Sequence, residues 1–204
     1  MTDLPKLFLI RHGETAWSLS GQHTGHTDIP LTPHGEDMAR ELAPLLAPVA
    51  FADILTSPLI RARRTCALAT DNAPAQIEPD LAEWDYGEYE GKLTAEIRQT
   101  RPDWHIFRDG CPGGENLADV VARADRLLAR LRRAHGPIAL FAHGHFGAIL
   151  GARWLGLPGE AARHMALDPA SISILGPKPR EADVPMLLHW NIVPPARMAY
   201  QNPD

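Results

Sequence analysis

The sequence predicts an α/β fold, a three-layer α/β/α sandwich around a mostly parallel sheet, and three observations carry that prediction. Short apolar runs near residues 6–10, 52–56 and 138–142 have the character of strands buried on both faces. Segments with helical spacing alternate with them, the pattern that builds a parallel sheet covered by helices. Arg11-His12, Arg61 and His143 then follow closely on those runs, at the carboxyl ends where open α/β sheets bind ligands. A chain of 204 residues fits one compact domain, since domains hold roughly 100 to 200 residues.

The elements follow in order. Residues 6–10 form the first strand, and Thr32 with Pro33 opens a helix that runs to about residue 46, threonine capping and proline occupying the first turn. Residues 52–56 are a second strand and 58–70 a helix with Ile60, Ala67 and Leu68 available to a core. Residues 81–91 read as an irregular acidic and aromatic segment, 94–100 as a helix, and 109–114 as a Gly/Pro loop of the kind that lines sites. The clearest amphipathic helix is 117–134, with Leu117, Val120, Val121, Ala124, Leu127, Leu128 and Leu131 on one side and arginines near its end. Residues 138–142 form a third strand, ending in His143-Gly144-His145 before a helix carrying Ile149, Leu150 and Trp154. Residues 171–175 and 186–190 are the last strands, with the Pro-rich stretch 176–185 as their link.

Composition excludes several classes. The chain has 25 acidic and 20 basic residues, a formal charge of -5, and no Lys/Arg run that would mark a nucleic-acid footprint. Its apolar stretches fall far short of the ~20 residues a bilayer requires, and the first residues lack the pattern of a signal peptide. A soluble, cytoplasmic protein without nucleic-acid or membrane partners is expected. Cys66 and Cys111 are the only cysteines and, without metal spacing, read as reduced residues.

The chemistry centres on Arg11-His12-Gly13-Glu14-Thr15. A neutral imidazole can attack phosphorus, and a guanidinium beside it neutralises the phosphoryl oxygens under attack, its planar fork matching a tetrahedral oxyanion. His143-Gly144-His145 could suggest a metal site, but alternate residues at a strand end point apart and no further ligand follows at suitable spacing, so no metal and no cofactor is expected.

Taken together, several ordered motifs resemble the histidine phosphatase superfamily, in its phosphoglycerate-mutase-like branch. They are Arg11-His12-Gly13-Glu14-Thr15-Ala16-Trp17, Thr24-Gly25 and Asp28 through Leu31-Thr32 to Gly35, Thr56-Ser57-Pro58-Leu59 with Arg61-Ala62 and Thr65, Glu83-Trp84-Asp85-Tyr86-Gly87 with Glu90-Gly91, and His143-Gly144. The resemblance implies that His12 is the nucleophile that becomes a phosphohistidine, that Arg11, Arg61 and a protonated His143 form the phosphate pocket, and that Glu83 is the proton donor. Glu83 must then give a proton to the departing alkoxide and later accept one from water, which predicts a slightly acidic pH optimum.

Mutase and phosphatase share this centre. The region 100–108 lacks the paired arginines of the cofactor-dependent mutases, Ser18 stands where they carry asparagine, and Thr94 stands near their lysine, departures that favour hydrolysis. Ser20-Gly21-Gln22, Glu83 through Gly91, the 104–111 segment and Phe141 through His145 are similar to the fungal sedoheptulose-1,7-bisphosphatase type of sugar phosphatase. That likeness implies a small phosphorylated metabolite as partner, with Ser18, His23, Thr24, Gly25, Tyr86, Arg108 and Gly144 as its candidate contacts. Phosphoglycerate mutase is the alternative, and a non-catalytic phospho-ligand-binding protein is a third reading. Substrate choice is expected to rest on the loops 22–26, 101–114 and 177–185. Trp190 and Tyr200 could belong to the core or to a homodimer interface.

Overall fold

The computed structural model describes residues 3–194. Tyr200 lies outside the described residues.

Six strands form one sheet among the described residues: β1 (Leu7–Arg11), β2 (Asp53–Thr56), β3 (Gln76–Ile77), β4 (Ile138–Ala142), β5 (Ile172–Lys178) and β6 (Glu181–Ile192), in the order β3-β2-β4-β1-β5-β6. β1, β2, β3 and β4 run parallel, while β5 pairs antiparallel with β1 and with β6. Alternation along the central strands separates two cores, because successive side chains point to opposite faces. Leu7, Leu9, Ile138 and Leu140 face Val120, Leu127 and Leu128 of α7 (Leu117–Leu131) and Phe146, Ile149 and Leu150 of α8 (Gly144–Trp154). Phe8, Ile10, Ala139 and Phe141 face Met38 and Leu42 on the α2 side (α2, Pro33–Arg40) and Cys66 of α4 (Ile60–Ala69). The three layers expected from the sequence are thus present.

Four details correct the expectations. The helix expected from Pro33 to residue 46 is broken: α2 ends at Arg40 and α3 (Ala43–Leu46) follows. Pro44 has no N–H to give the carbonyl at position 40, so the ladder stops before it. A short helix, α1 (Ala16–Ser20), was not anticipated; Thr15 and Ser18 bond each other's backbone N–H at 3.0 and 2.9 Å. α5 (Thr94–Thr100) falls where expected, but the following segment carries another short helix, α6 (Ile106–Asp109). The Pro-rich stretch 176–185 is no linker but the tip of the β5–β6 hairpin, turning at Pro179 and Arg180, the latter at φ 70°. Pro177 and Pro185 pair across that hairpin beyond the end of β1, where no third strand needs their N–H groups.

Cys66 and Cys111 are free thiols and buried. Trp190 packs onto the core, its indole N–H donating to Ala166 O at 2.7 Å. No helix of the described residues is long and apolar enough to cross a membrane.

Candidate active site

The parallel strands end side by side, and the residues that follow them converge. His12 leaves β1 with its backbone N–H bonded to Ala142 O at 3.1 Å. Gly13 is pressed against α2: a Cβ there would sit 2.3 Å from Gly35 O. Only glycine allows that approach, and it aims the Gly13 carbonyl at the His12 ring, where Nδ1 lies 2.7 Å away. A carbonyl only accepts, so Nδ1 carries the hydrogen and Nε2 keeps its lone pair. Burial, then Arg61, then Arg11, pushes His12 well below the usual imidazole range. The ring is therefore a neutral base with Nε2 free.

Arg61 is wholly buried on the first turns of α4. Its Nη2 donates to Thr24 O and Gly25 O at 3.1 and 2.8 Å, its Nη1 to Thr27 O at 3.0 Å, and its Nε to His143 Nδ1 at 3.3 Å. Four of the five guanidinium N–H groups are thus committed to the protein. This revises the expected role: Arg61 contributes positive field and an anchor for His143, with at most one N–H left for a ligand.

His143 also differs from expectation. Because the arginine N–H occupies Nδ1, the neutral ring carries its hydrogen on Nε2, 2.8 Å from Ser57 Oγ. Burial first and Arg61 second hold this imidazole well below its usual range. It is a neutral donor in this structure, not an imidazolium. With both nitrogens engaged, His143 does not join His145 in a metal site, and among the described residues no cluster of three or more metal-ligating side chains occurs. The His12 and His143 rings lie edge to face with centroids 5.1 Å apart.

Arg11 is the guanidinium that opens on the site. Its Nη1 donates to Leu167 O, while its buried Nε has no hydrogen-bond partner. An unpaired buried donor costs about 1–3 kcal/mol. Arg11 lines the cavity of about 500 Å³ that His12 also lines.

Glu83 comes from the irregular segment before residue 84 and caps α8 from outside. Its Oε1 accepts from the N–H of Trp84 and Phe146 at 2.9 and 2.8 Å, and its Oε2 from the N–H of His145 at 3.1 Å. His143, the N-cap residue, makes no side-chain cap of its own. Oε2, with one donor rather than two, is the oxygen better able to carry a proton. The segment is fastened by Arg123 of α7, whose guanidinium binds Asp80 O, Ala82 O and Glu83 O along with the Glu115 carboxylate.

The other expected contacts divide. His23, Thr24, Tyr86 and Gly144 line the cavity. Ser18 lines it too, but its hydroxyl is occupied at Thr15, accepting from the N–H and donating to the carbonyl. Gly25 lies behind Arg61, its N–H bonded to Glu90 at 2.8 Å, and is not among the cavity residues. Arg108 is also absent from the cavity; its guanidinium is held by Asp109 at 2.8 to 2.9 Å on the exposed face of α6. Trp84 is core, fully buried. Of the expected loops, 177–185 contributes nothing and 101–114 only Phe107.

Several contributors were not foreseen. His145 lines the cavity with Nδ1 2.6 Å from the Tyr86 hydroxyl, and His23 stacks on Tyr86 with centroids 4.8 Å apart. Burial holds His145 below the ordinary imidazole range and, with the charge of His145 adding to it, takes His23 down to about 4. The wall from Ala162 to Leu167 follows α8 and bears no motif. Ser57 stands within a quoted motif, but only the fold shows that it meets His143.

The sequence model of the histidine phosphatase superfamily (branch 1) matches residues 7–192. An acid phosphatase of Mycobacterium tuberculosis is 42% identical over 177 residues, 84% of this chain and 86% of that protein. The sedoheptulose 1,7-bisphosphatase of Saccharomyces cerevisiae is 38% identical over 185 residues, 75% of this chain and 68% of the yeast protein. Among solved structures, the product of an open reading frame from Mycobacterium tuberculosis superposes with a TM-score of 0.85 at 36% identity, covering 93% of this chain and 98% of that one.

Proposed function

The chain belongs to the histidine phosphatase superfamily and is a phosphatase, and from that premise we propose that it hydrolyses small phosphorylated metabolites, sugar phosphates foremost, without a metal ion and through a phosphohistidine on His12. The observation that carries this reading is the fixed tautomer of His12: the bond to Gly13 O leaves Nε2 as a free lone pair in a cavity that Arg11 also lines.

In the first step Nε2 attacks phosphorus in line while the ester P–O bond breaks, and the leaving alkoxide takes its proton from Glu83. In the second, Glu83, now a carboxylate, takes a proton from water, which attacks the phosphohistidine; the P–N bond breaks, inorganic phosphate leaves and neutral His12 returns. Arg11 can follow the phosphoryl oxygens as charge develops, while Arg61 adds its field from behind and His143, bonded to Arg61 and Ser57, holds that arrangement in place, so the electrostatic task falls to guanidiniums. The outer cavity supports a hydroxylated leaving group: neutral imidazoles at His23 and His145 and the phenol of Tyr86 can each donate or accept, as sugar hydroxyls do. The yeast relative's name, sedoheptulose 1,7-bisphosphatase, agrees with that chemistry.

The test is phosphate release from sugar mono- and bisphosphates and from phosphoglycerates in excess EDTA, comparing wild type with His12→Ala. Turnover that survives EDTA and vanishes in the variant is expected. Activity lost to EDTA, or isomerisation of phosphoglycerate that requires 2,3-bisphosphoglycerate in place of hydrolysis, would overturn it.

A further inference from the structure

Two guanidiniums line the cavity above His12. One is Arg11, with an unsatisfied Nε, and the other is Arg163, followed by His164, in the wall whose Leu167 carbonyl accepts from Arg11. Arg163 belongs to the 3-10 segment Gly159–His164, which is seated firmly on the fold. Gly159 lies so close to α7 that a Cβ would come within 2.3 Å of Val121 Cγ2, and Ala162 is buried. From that fixed base the guanidinium finds one carboxylate among the described residues, Glu160, at 3.6 Å, beyond hydrogen-bond distance and 60% exposed. A solvated contact of this kind leaves most of the positive charge uncompensated.

Arg163 is also the partition between two spaces. On its other side lies a cavity of about 390 Å³ lined by Arg98, Asp103, His105, Arg108 and Glu160. Arg108 is neutralised by Asp109, and Arg98 gives its Nε to Trp104 O. Carboxylates are present, yet the guanidiniums dominate the local field: after burial, Arg163, Arg98 and Arg108 are what hold His105 below its usual range.

We propose that Arg163, with His164 beside it, receives a second anionic group of the substrate, so that the preferred substrates are phosphomonoesters carrying a phosphate or carboxylate at the end remote from the bond that is broken. This rests on the phosphatase reading above for His12 and Arg11, and it assigns the wall that carries Arg163.

The experiment separates the two. Equilibrium binding is measured on His12→Ala, where nothing is turned over, with His12→Asn as a second background should the alanine variant fold poorly. A hexose 1,6-bisphosphate is compared with the hexose 6-phosphate, and 3-phosphoglycerate with glycerol 3-phosphate, so that the arms distinguish a distal phosphate from a distal carboxylate. At least one two-anion ligand is expected to bind tenfold or more tightly than its partner, since a charge-assisted bond contributes about 1.5–3 kcal/mol. Arg163→Gln should erase that ratio and Arg163→Lys should keep part of it. No preference in either pair, a ratio unmoved by Arg163→Gln, or an equal weakening of both members of a pair would overturn the assignment. Hydrolysis of p-nitrophenyl phosphate by the wild-type protein, a substrate with no second anion, tests the phosphatase mechanism independently.

Discussion

Replacing Arg61 by lysine keeps the charge and removes the geometry. The guanidinium makes four hydrogen bonds in three directions, to the carbonyls of Thr24, Gly25 and Thr27 and to His143 Nδ1. A lysine ammonium offers three hydrogens from one point and can stand in for one or two of these bonds. At least two acceptors are left, and each unsatisfied buried group costs about 1–3 kcal/mol. The Thr24 and Thr27 carbonyls are only partly buried and can recruit water, so the lower half of that range applies, and the loss should be about 3 kcal/mol. For a domain of this size that lowers Tm by about 6–12 °C. Activity should fall further than stability, because His143 loses the donor that fixes its tautomer; a loss of at least ~100-fold in kcat is expected, the scale of removing one oriented donor. Chemical unfolding, kcat on p-nitrophenyl phosphate and the NMR titration of His12 would be measured together. With the charge retained, His12 should still show no titration near pH 6.5. A variant that unfolds within about 1 kcal/mol of wild type and keeps its kcat would refute the anchoring argument, since it would mean the four bonds contribute little net stability.

Three further outcomes follow from the same geometry. Glu83→Gln retains an oxygen for the Trp84 and Phe146 N–H groups but turns its amide nitrogen, a donor, toward the His145 N–H; it should lose kcat by about 10²–10⁴-fold and stability by about 1 kcal/mol, whereas Glu83→Ala uncaps α8 altogether and should lose a further ~1–2 kcal/mol; equal unfolding free energies for the two variants would contradict the capping role. Burial lowers His12, His23, His143 and His145 in the folded state. The unfolded chain therefore takes up more protons, and stability present above about pH 6.5 is lost as the pH falls through the folded values, with His23 contributing down to about 4. A Tm that stays level or rises between pH 7 and pH 4.5 would show the assignment to be wrong. Tyr86→Phe removes the hydroxyl 2.6 Å from His145 Nδ1 and leaves the ring stack with His23; KM for a sugar phosphate should rise about fivefold or more, consistent with a net hydrogen bond of about 1 kcal/mol, and an unchanged KM would remove Tyr86 and His145 from substrate reading.

The inner half of the site was legible in the sequence and the outer half was not. Arg11, His12 and His143 sit at ends of parallel strands, so the α/β pattern alone brings them together, and Arg61 follows because α4 begins just beyond β2. Their detailed roles were another matter. The motifs suggest Arg61 and His143 as paired cations for phosphate, yet a guanidinium beside an imidazole in a dry interior keeps that imidazole neutral. Ser18 reaches the cavity as its motif suggests, but a small hydroxyl at the third position of a helix has the backbone within reach, and it spends its hydrogen bonds on capping that helix. Arg108 lay near the right motif on the wrong face of a short helix. The wall from Ala162 to Leu167 depends on how a 3-10 segment settles against α7, and no local pattern of residues announces that. The prolines at 177 and 185 suggested a loop because their tolerance in a sheet depends on the partner strand having already ended.

The carbonyls that hold Arg61 belong to the same loop whose outer surface offers His23 and Thr24 to the cavity. That loop is bolted from beneath by its backbone and decorated above by its side chains. Substitutions at position 23 can therefore exchange what the protein reads in a substrate while the peptide groups gripping Arg61 stay where they are. For anyone wishing to redirect this protein, the outer surface is a place where libraries can be broad, and the underside is a place to leave alone.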